Sequence, residues 1–200
     1  MSKRCSWARG PEYLTYHDEE GGRPVVDEDA LFERLCLEGF QAGLSWLTIL
    51  RKRPAFREAF AGFSIDAVAQ FGEGDVLRLM GDAGIVRNRA KIEATIANAK
   101  AAAELHEQGE TLAALVWGAA PSGRRLAPKS TADLPATTPE SNALSRELKR
   151  RGFRFVGPTT VYAAMQACGV INDHVLGCVV RGACERERRE AIRELAAQAA

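Results

Sequence analysis

Apolar residues recur at helical spacing along most of the chain. The strongest such run is DALFERLCLEGFQAGLSWLTILRKR (29–53), interrupted by Gly39 and Gly43, which predicts two helices or one broken helix with a turn near QAG. SIDAVAQF opens on Ser64 as an N-cap, with Asp66 in the first turn. GDVLRLMGDAG predicts a short helix closed by Gly84, and NRAKIEATIANAKAAAELHEQG (88–109) a long one closed by Gly109. TLAALVWGAA predicts another short helix. NALSRELKRR predicts one ended by Gly152, and TTVYAAMQACG one ended by Gly169. RERREAIRELAAQAA predicts a charged terminal helix, loosely held. Between these lies one long irregular stretch, PSGRRLAPKSTADLPATTPES. No strand ladder and no repeat is visible, so the fold class is all-α.

Composition narrows this little. Two hundred residues, 46% hydrophobic and 26% charged, fit one ordinary globular domain rather than a disordered chain. No apolar run reaches the roughly 18–20 residues of a membrane span. The start, MSKRCSWARG, lacks an apolar core like that of a secretory signal, so a cytoplasmic protein with reduced cysteines and no membrane partner is expected. The net charge of +1 says nothing about partners, but two local basic clusters are candidate phosphate-facing patches: Arg87, Arg89 and Lys91, and Lys149, Arg150, Arg151 and Arg154. Solvated helix ends explain either cluster equally well.

Two features carry chemistry. Residues 144–169 read as helix, short connector and helix, and the connector ends Gly157-Pro158-Thr159. A helix N-terminus placed there offers unpaired N–H groups and positive dipole to an anion such as a DNA phosphate. An ordinary αα-hairpin has the same spacing. The second feature is NDHVLGC, where His174 and Cys178 lie four apart and would stack on one face of a helix. Of the other histidines, His106 sits among charges and reads as solvated, whereas His17 follows Cys5 by twelve residues. Cys5, His17, His174 and Cys178 thus make a candidate tetrahedral zinc set, closed and therefore structural. Unconnected core residues are the alternative, and Cys184 is a rival ligand. Cys36 and Cys168 read as core.

The segments RCSW (4–7), YHDEE (16–20), LCLEGFQAGLSWLTILRKR (35–53), DAGIVRNRAKI (82–92) and RGFRFVGPTTVYAAMQACGVINDHVLGC (151–178) resemble the bacterial 3-methyladenine DNA glycosylase I family, of the helix-hairpin-helix glycosylase superfamily. The resemblance implies one helix-hairpin-helix glycosylase domain over 1–182, with 183–200 a charged terminal helix or tail. It implies one structural zinc per chain on Cys5, His17, His174 and Cys178, joining the two ends of the domain. It places the base pocket and catalytic residues at Glu38, Tyr16 and Trp46, with Trp7 lining the same cavity. Without it, Glu38 would read as a helix-surface carboxylate and Trp46 as core. Gly43 and Leu44 become a turn presenting an apolar wedge, and Gly157 and Thr159 contact DNA. The implied partner is double-stranded DNA with alkylated bases, met by a monomer.

The chemistry is coherent. 3-Methyladenine in DNA carries delocalised positive charge, which an aromatic face and a carboxylate both favour. Excision requires the base to leave the stack. Asp173 is displaced from the position of the superfamily's general catalytic Asp, and Pro158-Thr159-Thr160 stands where bifunctional relatives have Lys. Simple hydrolysis to an abasic site is therefore expected. One departure stands out: the family commonly has Trp where this chain has Gly21. That leaves open a bulkier alkylated purine as substrate, or an inactive DNA-binding protein. A zinc hydrolase is excluded by a four-ligand protein shell.

Overall fold

Asp27 starts the helix on which the rest is assembled. Its carboxylate accepts a hydrogen bond from the Ala30 N–H at 2.9 Å, and Glu28 and Asp29 add negative charge to the first turn of α2 (Glu28–Gln41). Every residue from 31 to 40 is buried, so α2 is the central helix. The structure is a computed structural model describing residues 3–123 and 125–198. The remaining residues 1, 2, 124, 199 and 200, which the sequence assigns to the domain and its tail, lie outside it. Among the described residues there is no strand, only an isolated bridge between Lys3 and Cys178.

Before α2 comes α1 (Pro11–Glu19), and after it α3 (Trp46–Ala59), whose N-cap Ser45 accepts from Thr48 N–H at 3.2 Å. Then follow α4 (Ile65–Ala69), α5 (Glu73–Gly81), α6 (Arg89–Glu107) and α7 (Leu112–Gly118). Glu28 accepts from the Leu112 and Ala113 N–H groups at 2.8 and 2.7 Å and so caps α7 as well. It also bonds His106 at 2.8 Å, so that histidine is tethered rather than simply solvated. The pair α8 (Pro139–Arg150) and α9 (Pro158–Ala167) packs together, and α9 lies on α2. A buried set including Phe32, Phe40, Phe56, Phe60 and Phe63 forms the main core.

Several expectations change. Gly39 does not interrupt α2; it lets the hairpin approach, because a Cβ there would sit 3.4 Å from Phe155 Cβ. The break comes at Gly43, at φ +85°. Gly84 does not close α5, which ends at Gly81; a Cβ at Gly84 would meet Ala55 at 2.9 Å. The terminal helix α10 (Arg181–Gln198) is docked, not loose. Cys184 and Ala191 are buried, Ile192 and Leu195 pack on the main core, and Arg188 donates to Val170 O at 2.8 Å. Its charge pattern hid a narrow apolar stripe. The basic clusters divide: Arg87, Lys149 and Arg154 are exposed, and others are engaged within the chain. Arg89 pairs with Glu73 and Glu93, Arg150 and Arg151 pair with Glu147, and Lys91 is buried.

Candidate functional site

Two centres share the seam where α1 meets α2, α9 and the segment after α9. The first is a cavity of about 340 Å³. Its lining includes Trp7, Tyr16, Glu38 and Trp46, so all four expected pocket residues converge. Tyr16 is the hub: its ring centroid lies 5.6 Å from Trp46 and 6.2 Å from Trp7. Such tilted aromatic contacts fix ring orientation as well as burying area.

Glu38 projects from the last turns of α2 and is only 6% exposed. Desolvation pushes its carboxyl up to about 8, against the pull of Arg34 one turn earlier. Burial therefore favours the neutral form of Glu38, and a cation entering the cavity would favour its ionised form. Burial likewise raises the Tyr16 hydroxyl well above the ordinary phenol value. Arg34 is a residue that sequence reasoning missed. Its guanidinium sits 6.0 Å from the centre of the Tyr16 ring and pairs with Glu20, which also holds Arg53. Its place at i−4 from Glu38 was the available signal. Tyr13 and Gln41 also line the cavity and were missed; the Tyr13 hydroxyl accepts from Leu47 N–H at 3.0 Å and so fixes the start of α3.

Gly21 lines the same wall. A Cβ there would stand 3.0 Å from Tyr16 Cε1, so any side chain at this position presses on the Tyr16 ring. Asp173 reaches the cavity edge, but Tyr162 and Gln166 donate to its carboxylate at 2.5 and 2.9 Å. That carboxylate is committed to structure.

The second centre is the cluster Cys5, His17, His174 and Cys178, all buried, with ligand atoms within 4.8 Å of one another. Cys178 Sγ lies 3.4 Å from His17 Nε2 and 3.7 Å from His174 Nδ1, and Cys5 Sγ lies 3.5 Å from His174 Nδ1. The edges of a zinc tetrahedron with Zn–S near 2.3 Å and Zn–N near 2.0–2.1 Å are about 3.4–3.8 Å. The outward ring nitrogens are also anchored: His17 Nδ1 to Asp18 at 2.7 Å, and His174 Nε2 to Gly21 O at 2.9 Å. Such outer partners orient metal-binding imidazoles. Arg4 and His17 hold Asp18 down at about 2. Burial, with the neighbouring Cys178 adding to it, pushes the Cys5 thiol up to about 11, and a bound cation would favour the thiolate. The donor set fits zinc.

The helical stacking expected of His174 and Cys178 is not what unites them. Residues 172–178 form no helix, and Gly177 turns the chain at φ +81°. Cys184 is buried nearby but is not in the four-residue cluster.

At the rim, the turn after α2 exposes Leu44, which is 42% accessible and not core. Gly157 caps α9 with no side-chain hydrogen bond, and Thr159 is exposed beside it. The α9 N-terminus thus faces outward with its positive dipole unneutralised.

A family model described as "Methyladenine glycosylase" matches residues 7–181. The chain is 47% identical over 178 residues to DNA-3-methyladenine glycosylase 1 of Escherichia coli K12, covering 88% of this chain and 95% of that one. A crystal structure of a 3-methyladenine DNA glycosylase I superimposes with a TM-score of 0.85 at 45% identity, over 88% of this chain and 98% of the other. A Staphylococcus aureus enzyme, solved to explain its recognition of 3-methyladenine, gives 0.84 at 35% identity, over 90% and 97%.

Proposed function

The chain belongs to the methyladenine glycosylase family, and from that premise we infer that it excises 3-methyladenine from alkylated DNA. It is a glycosylase of DNA repair: it hydrolyses the N-glycosidic bond that joins the damaged base to deoxyribose. The observation that carries this reading is the convergence of Glu38, Tyr16 and Trp46 on one largely apolar cavity.

The lesion is flipped out of the stack and enters the cavity as a cation. Tyr16 and Trp46 offer their π-faces to that charge. Glu38 releases its proton to solvent as the cation arrives, then accepts hydrogen bonds from the amino edge of the base. Arg34 keeps Glu38 within reach of ionisation and packs on Tyr16. Water bonds to C1′ and loses one proton to solvent as the base departs with the glycosidic electron pair, which neutralises its ring. An abasic site remains. The lesion's own charge supplies most of the lability, so the protein's task is selection and positioning. We assign no lyase step.

Leu44 serves as the wedge that fills the gap left by the flipped base. The α8–α9 pair and its connector act as the helix-hairpin-helix element, with Gly157 and Thr159 at a phosphate. Cys5, His17, His174 and Cys178 would hold one structural zinc, which would supply cross-linking and no reaction chemistry. The enzyme acts as a monomer on one duplex.

The test is to incubate the protein with methylated duplex DNA and separate the released bases by chromatography, beside Glu38→Ala. Release of 3-methyladenine and not 7-methylguanine, lost in the variant, is expected. Release of bulkier purines alone would instead support a pocket widened at Gly21.

A further inference from the structure

Two polar side chains on the buried face of α6 lie outside the base cavity, and both end on backbone. Lys91 is buried and donates to Phe40 O at 2.8 Å and Ala42 O at 2.7 Å. Its partners are carbonyls at the negative end of α2, an unusual use for a buried ammonium. They also form the root of the turn that exposes Leu44. Asn98 is buried and engages Arg154 with both of its polar atoms, while its Nδ2 also donates to Cys36 Sγ at 3.9 Å. Its Nδ2 donates to Arg154 O at 3.1 Å, and its Oδ1 accepts from Arg154 N–H at 2.7 Å. Arg154 lies in the connector between α8 and α9, next to exposed Phe155 at φ +54°.

Positions 91 and 98 are seven residues apart, about two helical turns, so they share a face and stand about 10 Å apart along the axis. One straight helix therefore grips the wedge turn with one side chain and the hairpin with the other. Gly39 completes the arrangement by letting the hairpin rest directly on α2.

We propose that Lys91 and Asn98 are positioning residues that fix the spacing between the wedge turn (42–45) and the hairpin (152–157), so that the wedge enters the duplex in register with the strand the hairpin holds. The proposal rests on the DNA-excision reading above. Neither side chain touches the lesion. Each holds a loop whose misplacement by about 1 Å is enough to cost a large factor in rate.

The experiment compares wild type, Lys91→Met, Asn98→Ser and the double variant in four measurements: thermal unfolding, tryptophan-fluorescence binding of free 3-methyladenine, single-turnover release of 3-methyladenine from methylated duplex DNA, and wedge entry. Wedge entry is read from 2-aminopurine placed opposite an abasic analogue in a duplex. The expected result is unchanged affinity for the free base, with excision and the 2-aminopurine signal each reduced about tenfold or more. The double variant falls no further than the worse single one, because either loss uncouples the two loops. Excision within about twofold of wild type in both single variants, losses that multiply in the double, or free-base affinity falling in step with excision would each overturn the proposal. Asn98→Ser decides the matter if Lys91→Met yields no folded protein. Wild type that releases no 3-methyladenine would instead refute the underlying activity.

Discussion

Glu38 costs the fold stability as the pH rises. Its carboxyl sits at about 8 in the folded protein against an ordinary 4.5. A raised pKa contributes stability that is complete below about 4.5 and disappears as pH rises through about 8. Glu38→Gln removes that dependence. Relative to wild type, the variant should therefore gain on the order of 2–4 kcal/mol between pH 4 and pH 8. Denaturant unfolding at the two pH values checks this; equal differences at both would contradict a buried, neutral Glu38. The residue types at 16, 38 and 46 were legible through family resemblance, but the burial of Glu38 was not. Nothing local distinguishes Glu38 from a solvated helix carboxylate; only the packing of Tyr16, Arg34 and Cys168 around it does.

Among the elements, the turn between α2 and α3 has the most direct consequence. Gly43 adopts φ +85° and Leu44 is presented without a core contact. Leu44→Ala should lower excision from duplex DNA about tenfold while leaving affinity for free 3-methyladenine unchanged. Equal loss of both would show Leu44 to be part of the cavity. The Ser64 cap was readable in advance, and the structure adds Asn88 and Thr111 as caps of two other expected helices, each accepting from the N–H three residues on. What escaped was tertiary. The short α1, PEYLTYHDE, has no apolar stripe of its own and is held by Tyr13, Tyr16 and His17 acting on distant partners. Gly39 and Gly84 looked like helix punctuation, yet both are sites of close approach, which a sequence does not distinguish from a stop.

At the scale of the whole molecule, two cysteines and two histidines from the two ends of the chain meet beside the cavity lined by Glu38. His174 joins the two centres, since its Nε2 donates to the carbonyl of Gly21 on the cavity wall. Purified protein should contain one zinc ion per chain by elemental analysis, and Cys178→Ser should lose it. The variant should become sensitive to proteolysis near its N-terminus while the main core, built on α2 and α6, stays folded. Zinc retained at full occupancy in Cys178→Ser would remove that cysteine from the shell. That these four residues cluster was legible from residue types, although the expected helical stacking of His174 and Cys178 gave way to a turn. The docking of α10 was not legible, because its few apolar residues are outnumbered by arginine and glutamate.

The pH dependence of kcat/KM for excision from methylated duplex DNA, in wild type and in Glu38→Gln, tests the central claim most directly. If an ionised Glu38 receives the cationic base, wild-type kcat/KM should rise with pH toward a plateau above about 8, and the variant should be slower with no such rise. A flat wild-type profile, or the same rise persisting in Glu38→Gln, would contradict the account.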